Sequence, residues 1–210
     1  MEKDVRTSSA LDHVQGVMVV VVGPSGAGKD TLLSFAAENL CHRPDVHFVR
    51  RVITRNADAG GESHEGVSDQ EFDRRETEGG FCVSWQAHGL KYGIPADVLK
   101  RLASGHVVIA NGSRSALHHF RSVFPKLKVI NVTARADVLA TRLEKRGRES
   151  KEDILRRLQR SSLAVNGDFD VLEIDNSDDV RRAGELMITA LKDSLMLAAP
   201  LHGDAPETEH

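Results

Sequence analysis

The sequence is short of the features that mark several large protein classes. Its 210 residues contain two cysteines, Cys41 and Cys82, too few for a disulfide framework, and no Cys/His group has zinc spacing. The longest clean apolar run, residues 17–22, falls far short of a bilayer span. Residues 1–13 carry Glu2, Asp4 and Asp12 and lack the apolar core of a secretory signal. Neither sign of charge dominates: 28 Lys and Arg stand against 31 Asp and Glu, a net charge of −3. That balance gives no bulk attraction to nucleic acid or to an anionic membrane, although it allows a local basic patch. A soluble chain in a reducing, cytoplasmic setting is the expectation. Hydrophobic residues make up 40% of the chain, enough for one domain with a packed core and too many for a disordered segment.

Between two polar, aperiodic ends, short β-branched runs alternate with helical periodicity. Residues 17–22, 107–109, 127–132 and 171–174 have the pattern of buried strands, and residues 32–40, 136–146, 154–165 and 180–191 that of amphipathic helices. Strands and helices in alternation predict a parallel sheet covered on both faces, a three-layer α/β/α fold. The expected limits are a mobile start over 1–14, one domain over 15–195, and a mobile tail over 196–210. Residues 50–95 break the rhythm and hold Gly60, Gly61, Gly79, Gly80, the single Trp85 and the single Tyr92. Such a composition suits an insertion that builds a site rather than another core layer.

The strongest motif is Gly23-Pro24-Ser25-Gly26-Ala27-Gly28-Lys29, set between the first strand and the first helix. This is the context of a P-loop, in which glycines let backbone N–H groups point at phosphate oxygens and the lysine brings a mobile positive charge. A plain glycine-rich turn is the bland alternative, outweighed by the agreement of strand, loop, lysine and helix. One position departs from the motif. Ser or Thr is expected after the lysine to hold Mg²⁺, and here Asp30 stands there with Thr31 behind it. Asp30 is the candidate Mg²⁺ ligand, direct or through water, and Thr31 a phosphate contact. A solvated Asp30 favoured by the helix dipole is the alternative.

A second concentration of chemistry follows. Residues 142–160 hold eight Lys and Arg against four Asp and Glu, among them Arg142, Arg146 and Arg148 beside Gly147. Phosphoryl transfer asks for positive groups that close over the transferring group. A solvated basic helix face is the usual explanation of such runs. Downstream of a P-loop in a chain this small, a lid over about 142–152 is the stronger reading.

The loop, the lid Arg142-Leu143-Glu144-Lys145-Arg146-Gly147-Arg148-Glu149 and the segment between them resemble the guanylate kinase branch of the nucleoside monophosphate kinases. The resemblance runs from about residue 17 to 191. It implies a P-loop NTPase fold with an acceptor-binding subdomain over about 50–95 and a lid. Ile53-Thr54-Arg55, then Gly61-Glu62, and later Phe81 through Trp85 and Tyr92-Gly93, match that branch's monophosphate-binding region. Arg55 and Tyr92 are thereby implied to grip the acceptor phosphate, and Asn176 to lie near the adenine of ATP. His64 stands about where a phosphate-binding Tyr is expected, and Asp58 where the family has a second Arg.

The departures carry more information. The two carboxylates with which guanylate kinases read guanine are represented here by Val83 and Asn111. A valine cannot accept the N–H donors of guanine, so base selection is lost. A guanylate-kinase frame without its base reader is similar to the ribose 1,5-bisphosphate phosphokinase family. Ile53-Thr54-Arg55, Gly60-Gly61-Glu62, Ser84-Trp85-Gln86-Ala87-His88-Gly89, Tyr92-Gly93-Ile94-Pro95 and the Gly28-Lys29-Asp30-Thr31 loop match its stretches. The resemblance implies ATP and Mg²⁺ as cofactors and a phosphorylated sugar as substrate. It implies transfer to the 1-phosphate of ribose 1,5-bisphosphate to give 5-phosphoribosyl 1-diphosphate, commonly within phosphonate breakdown.

The chemistry suits those residues. An acceptor phosphate has a second pKa near 6 and is already a nucleophile at neutral pH, so no base is required. Lys29, Arg146 and Arg148 are the expected catalytic groups. Gly23 to Thr31, with Arg142 and Asn176, are the expected ATP contacts. Arg51, Arg55, His64, Tyr92 and Asn111 are the expected acceptor contacts. One of Arg50 and Arg51 should point inward, because strand neighbours alternate. Asp97 and Asp137 fit helix starts better than a sugar-activating base. Trp85 is read as an anchor of the insertion before a stacking platform, and both cysteines as small buried residues. Of the ten histidines, His88 is the further one that could touch substrate. Two other functions remain open: a nucleoside monophosphate kinase with altered base preference, and a non-catalytic module that binds phosphorylated peptide. Nothing in the sequence fixes an oligomeric state.

Overall fold

The computed structural model describes residues 15–56, 63–145, 154, 158 and 164–198. The first strand, β1 (Val17–Val22), consists of five valines and a methionine, and every residue is buried. Such a strand can only be central. It pairs in parallel with β7 (Val107–Asn111) on one side and β8 (Leu127–Thr133) on the other. β2 (Val46–Phe48) and β9 (Asp170–Asp175) complete a five-stranded parallel sheet in the order β2-β7-β1-β8-β9.

Alternation along β1 sends its side chains into two cores. Val17, Val19 and Val21 meet Leu32, Ala36 and Leu40 from α1 (Lys29–Asn39) and its end, and Ala183, Met187 and Leu191 of α6 (Val180–Leu197). Met18, Val20 and Val22 meet Leu102 of α3 (Val98–Ala103) and Leu117 and Phe120 of α4 (Leu117–Val123). Helices on both faces make the three-layer α/β/α arrangement expected from the sequence. A further helix, α5 (Ala136–Glu144), adds Leu139 to the first core, while its Ala140 and Leu143 pack with Ile154. Asp97 precedes α3 and Asp137 lies in the first turn of α5, the helix-start places expected of them. The closing helix runs to Leu197, past the domain limit of 195 and into the stretch expected as tail. Among the described residues no helix is long and apolar enough to cross a membrane.

The middle segment folds as a small second sheet in the order β4-β3-β6-β5. Its strands are β3 (Val52–Ile53), β4 (Glu65–Gly66), β5 (Phe81–Ala87) and β6 (Leu90–Pro95), with α2 (Asp69–Thr77) between β4 and β5. Phe81 lies flat across Gly93 of the neighbouring strand, where a Cβ would stand 2.6 Å from its ring, so only glycine lets the two strands close there. Val83 and Trp85 point down into the second core and tie this sheet to the main one. At the tip of the β5–β6 hairpin, His88 and Gly89 both adopt positive φ, 52° and 74°, as a two-residue I′ turn demands.

One expectation is corrected. Cys41 is exposed, since it follows the last turn of α1, and only Cys82 is part of the interior. Val83 lies in the core beneath the small sheet.

Candidate active site

The loop after β1 lies at the carboxyl edge of the parallel sheet, where α/β folds bind ligands. Gly28 caps α1 with φ of 90° and offers no side-chain hydrogen bond to the helix. The first N–H groups of α1 are therefore left for a bound anion. A Cβ at residue 28 would run into the Asn176 amide, so glycine is required there for both conformation and space. Lys29 Nζ donates to the carbonyls of Gly23 at 2.8 Å and Pro24 at 3.1 Å, which folds the lysine back across the loop. Pro24 and Ala27 turn inward and are buried, and the Ala27 N–H is spent on the Pro24 carbonyl.

The loop is held from behind. Asn176, 2% exposed, donates from Nδ2 to the Ala27 carbonyl at 2.7 Å. Arg142 donates from Nη2 to the Asn176 carbonyl at 2.8 Å, and its Nη1 lies 3.4 Å from the Gly26 carbonyl. Both residues reach the loop through its carbonyls. Asn176 Oδ1 is buried and accepts no hydrogen bond among the described residues.

One cavity of about 230 Å³ joins the loop to the small sheet. Gly23, Ser25, Gly26, Gly28, Lys29, Asp30 and Thr31 line it from the loop side. Arg51, Trp85, His88 and Tyr92 line it from the other. Arg51 is the inward member of the Arg50 and Arg51 pair, 8% exposed, while Arg50 faces out. Its guanidinium sits 5.1 Å from the Tyr92 ring and 5.7 Å from the Trp85 ring, and those two rings stack at 5.2 Å. The aromatic pair holds the cation by its ring faces. Trp85 thus serves as both anchor and wall.

Arg55 and His64 come together a little apart from this cavity, with Arg55 Nη2 3.3 Å from His64 Nδ1. His64 is 2% exposed, and Arg50 donates to its carbonyl at 3.1 Å. Arg55 Nε is buried and unpaired among the described residues. A second cavity of about 210 Å³ adjoins, lined by Ser34, Phe48, Arg50 and Ser63. Asp30 and Asn111 line both cavities, and Asn111 Nδ2 donates to Asp30 Oδ1 at 2.9 Å. Arg146, Arg148, Asp58 and the Gly60-Gly61-Glu62 stretch lie outside the described residues.

His88 is the site residue that the sequence marks least. Its signal is the His88-Gly89 pair between two strand-like runs, a turn dipeptide with histidine where Asn or Asp is the usual choice. Arg51 was legible only as one of two alternating arginines.

Among groups that could hold a metal, no cluster of three or more His, Cys, Asp or Glu occurs in the described residues. Asp30 is the one acidic side chain among the described residues that line either cavity. One carboxylate beside a phosphate loop suits Mg²⁺, which is commonly held by one or two carboxylates with substrate phosphates and water.

A family model described as an AAA domain matches residues 19–162. A ribose 1,5-bisphosphate phosphokinase PhnN from Agrobacterium fabrum is 62% identical over 183 residues, 87% of this chain and all of that protein. Another of that name from Brucella melitensis is 46% identical over 169 residues, 80% of this chain and 88% of the relative. Among solved structures, a guanylate kinase from Anaplasma phagocytophilum superposes with a TM-score of 0.62 at 18% identity, covering 86% of this chain and 87% of its own. That likeness shows the fold, the guanylate-kinase-like form of the P-loop α/β architecture.

Proposed function

The chain belongs to the ribose 1,5-bisphosphate phosphokinase family, and from that premise we propose that it transfers the γ-phosphoryl group of ATP to the 1-phosphate of ribose 1,5-bisphosphate. The products are ADP and 5-phospho-α-D-ribose 1-diphosphate. The observation that carries the reading is the single cavity in which the phosphate loop faces Arg51, Tyr92 and His88. A kinase that joins two phosphates needs both anions in one enclosure, and this cavity brings cationic groups to it from both sides.

The reaction asks for little covalent help. An oxygen of the acceptor phosphate, ionised at neutral pH, forms a bond to the γ-phosphorus, and the bond to the β-bridging oxygen breaks to release ADP. Lys29 leaves the Gly23 and Pro24 carbonyls to meet the β- and γ-phosphates. The N–H groups of Gly26, Gly28 and Thr31 hold the phosphate chain, and Arg51 orients the acceptor. Arg55 with His64 takes the acceptor's other anionic end. Arg146 and Arg148 are assigned to the charge that develops on the transferring group. Asp30 would hold Mg²⁺, whose charge screens the triphosphate. The unpaired Asn176 Oδ1 suits a donor such as the exocyclic amine of adenine. The reading places the enzyme in the cytoplasm with a small phosphorylated sugar as its partner, and without nucleic acid or membrane.

A direct test mixes the protein with Mg·ATP and either ribose 1,5-bisphosphate or GMP. ADP release and phosphorus NMR are then followed. A new diphosphate on C1 is expected; conversion of GMP to GDP with an unchanged sugar bisphosphate would overturn the reading in favour of a nucleotide kinase. Lys29→Ala should keep the fold and lose turnover by about a hundredfold or more.

A further inference from the structure

Asp30 stands where P-loop enzymes ordinarily carry the Ser or Thr that helps hold their cation, the residue after the lysine, and Asn111 is brought beside it. The loop hydroxyl has become a carboxylate, and beside it stands an amide. The two side chains touch. Asn111 ends β7, whose register sets it against Val21 at the end of β1, and its Nδ2 donates to Asp30 Oδ1 at 2.9 Å.

We propose that Asp30 supplies the cation-binding carboxylate of this chain from the loop, and that Asn111 is the positioning residue that fixes Asp30 for it. The inference rests on the use of Mg·ATP and is indifferent to the acceptor. An amide N–H₂ cannot ligate a cation, but it can fix a carboxylate by hydrogen-bonding one oxygen. Asp30 Oδ2 forms no hydrogen bond or ion pair among the described residues and stays available beside Lys29 and Thr31. Two carboxylates at this separation would repel each other, and a hydroxyl with an amide would leave the cation no anionic ligand. One carboxylate with one amide keeps a single negative charge at the site. Because Asp30 is the sole acid among the described residues that line the two cavities, no other described residue there can supply it. Asn111, expected as an acceptor contact, is better explained as the partner of Asp30.

The test reads nucleotide binding rather than turnover. ADP affinity is measured by calorimetry with Mg²⁺ and with EDTA for the wild type, for Asn111→Ala, and for the exchanged variant Asp30→Asn/Asn111→Asp. Mn²⁺ bound with ADP is followed by electron paramagnetic resonance. Asn111→Ala should bind ADP in EDTA as the wild type does and lose about tenfold of the Mg²⁺ enhancement. The exchanged variant, with the same hydrogen bond drawn in the opposite sense, should regain that enhancement, which a merely structural bond would not predict. Full Mg²⁺ enhancement in Asn111→Ala overturns the proposal. So does an exchanged variant that binds ADP normally in EDTA yet gains nothing from Mg²⁺. Should Asn111→Ala not fold, Asn111→Leu fills the same volume without the donor and is read in the same way. Failure of the acceptor assignment would appear separately, as absence of the sugar diphosphate with metal-dependent ADP binding intact.

Discussion

Asn176 donates its side-chain amide to the carbonyl of Ala27 at 2.7 Å, across 149 residues of sequence. Ala27 itself is fully buried in the core formed with Val21, Leu32 and Leu139. The phosphate loop is therefore shaped before any phosphate arrives, from inside by an alanine methyl and from behind by an amide. Preorganisation of this kind lowers the cost of ordering the loop upon binding.

Asn176→Ala should leave the Ala27 carbonyl buried without its partner, at a cost of about 1–3 kcal/mol. Thermal unfolding would fall by several degrees, at roughly 2–4 °C per kcal/mol for a chain of this size. The KM for ATP should rise while the acceptor KM stays near its wild-type value. An unchanged KM for ATP would detach this contact from nucleotide binding.

Gly28→Ala attacks the same contact from the loop side, because φ of 90° and the Asn176 amide both exclude a Cβ. The expected result is loss of ADP binding in calorimetry, with circular dichroism close to wild type. ADP binding at wild-type strength would show that the loop tolerates a Cβ at this corner.

Arg51→Lys is not a conservative change here. A lysine keeps the charge but loses the planar guanidinium that lies against Tyr92 and Trp85. A cation–π contribution of about 0.5–2 kcal/mol translates to an acceptor KM raised by roughly two- to thirtyfold, with the KM for ATP little altered. Equal effects on both substrates would argue for a general structural role.

Acid should weaken the fold through His47 on β2. Burial lowers its pKa below the usual histidine value, and the positive charge of Arg101 acts in the same direction. Below about pH 6.5 the unfolded chain takes up a proton that the folded chain refuses. Stability is thus retained above that pH and declines as the pH falls toward the lower folded value. Urea unfolding between pH 7.5 and 5 would reveal the slope, and His47→Gln should flatten it.

The two thiols should differ in reactivity. Burial pushes the Cys82 thiol up to about 12, and its Sγ lies 3.5 Å from the Ile94 carbonyl, whereas Cys41 is exposed. Iodoacetamide at pH 8, read by mass spectrometry, should label the native protein at Cys41 alone and the urea-unfolded chain at both cysteines. Modification of Cys82 in the native protein would show that the small sheet opens.

The elements that could be read in advance are those whose signal is local and long. β1 is observed at the limits that its unbroken apolar run predicts, β8 and β9 differ by one or two end residues, and α6 starts where expected but runs on to Leu197. β2, β3 and β4 escaped because strands of two or three residues carry no periodicity. α2 escaped for another reason: it buries only Phe72 and is held by exposed pairs such as Arg74 with Glu71 and Glu78. Its cue was the capping pattern of Ser68 and Glu71, and the Ser68 side chain does accept from the Glu71 N–H.

The site divides along the same line. The sequence by itself determined the parallel α/β layering, the phosphate loop with Lys29 and the family, because each is carried by neighbouring residues or by a stretch of motif. Only the tertiary structure decided that Arg51 rather than Arg50 turns inward onto Tyr92, that Asn176 braces Ala27, and that Asn111 holds Asp30. Those are pairings across 41 to 149 residues, set by strand register and by which face of each strand meets the core. Local propensity carries no information about partners so far along the chain.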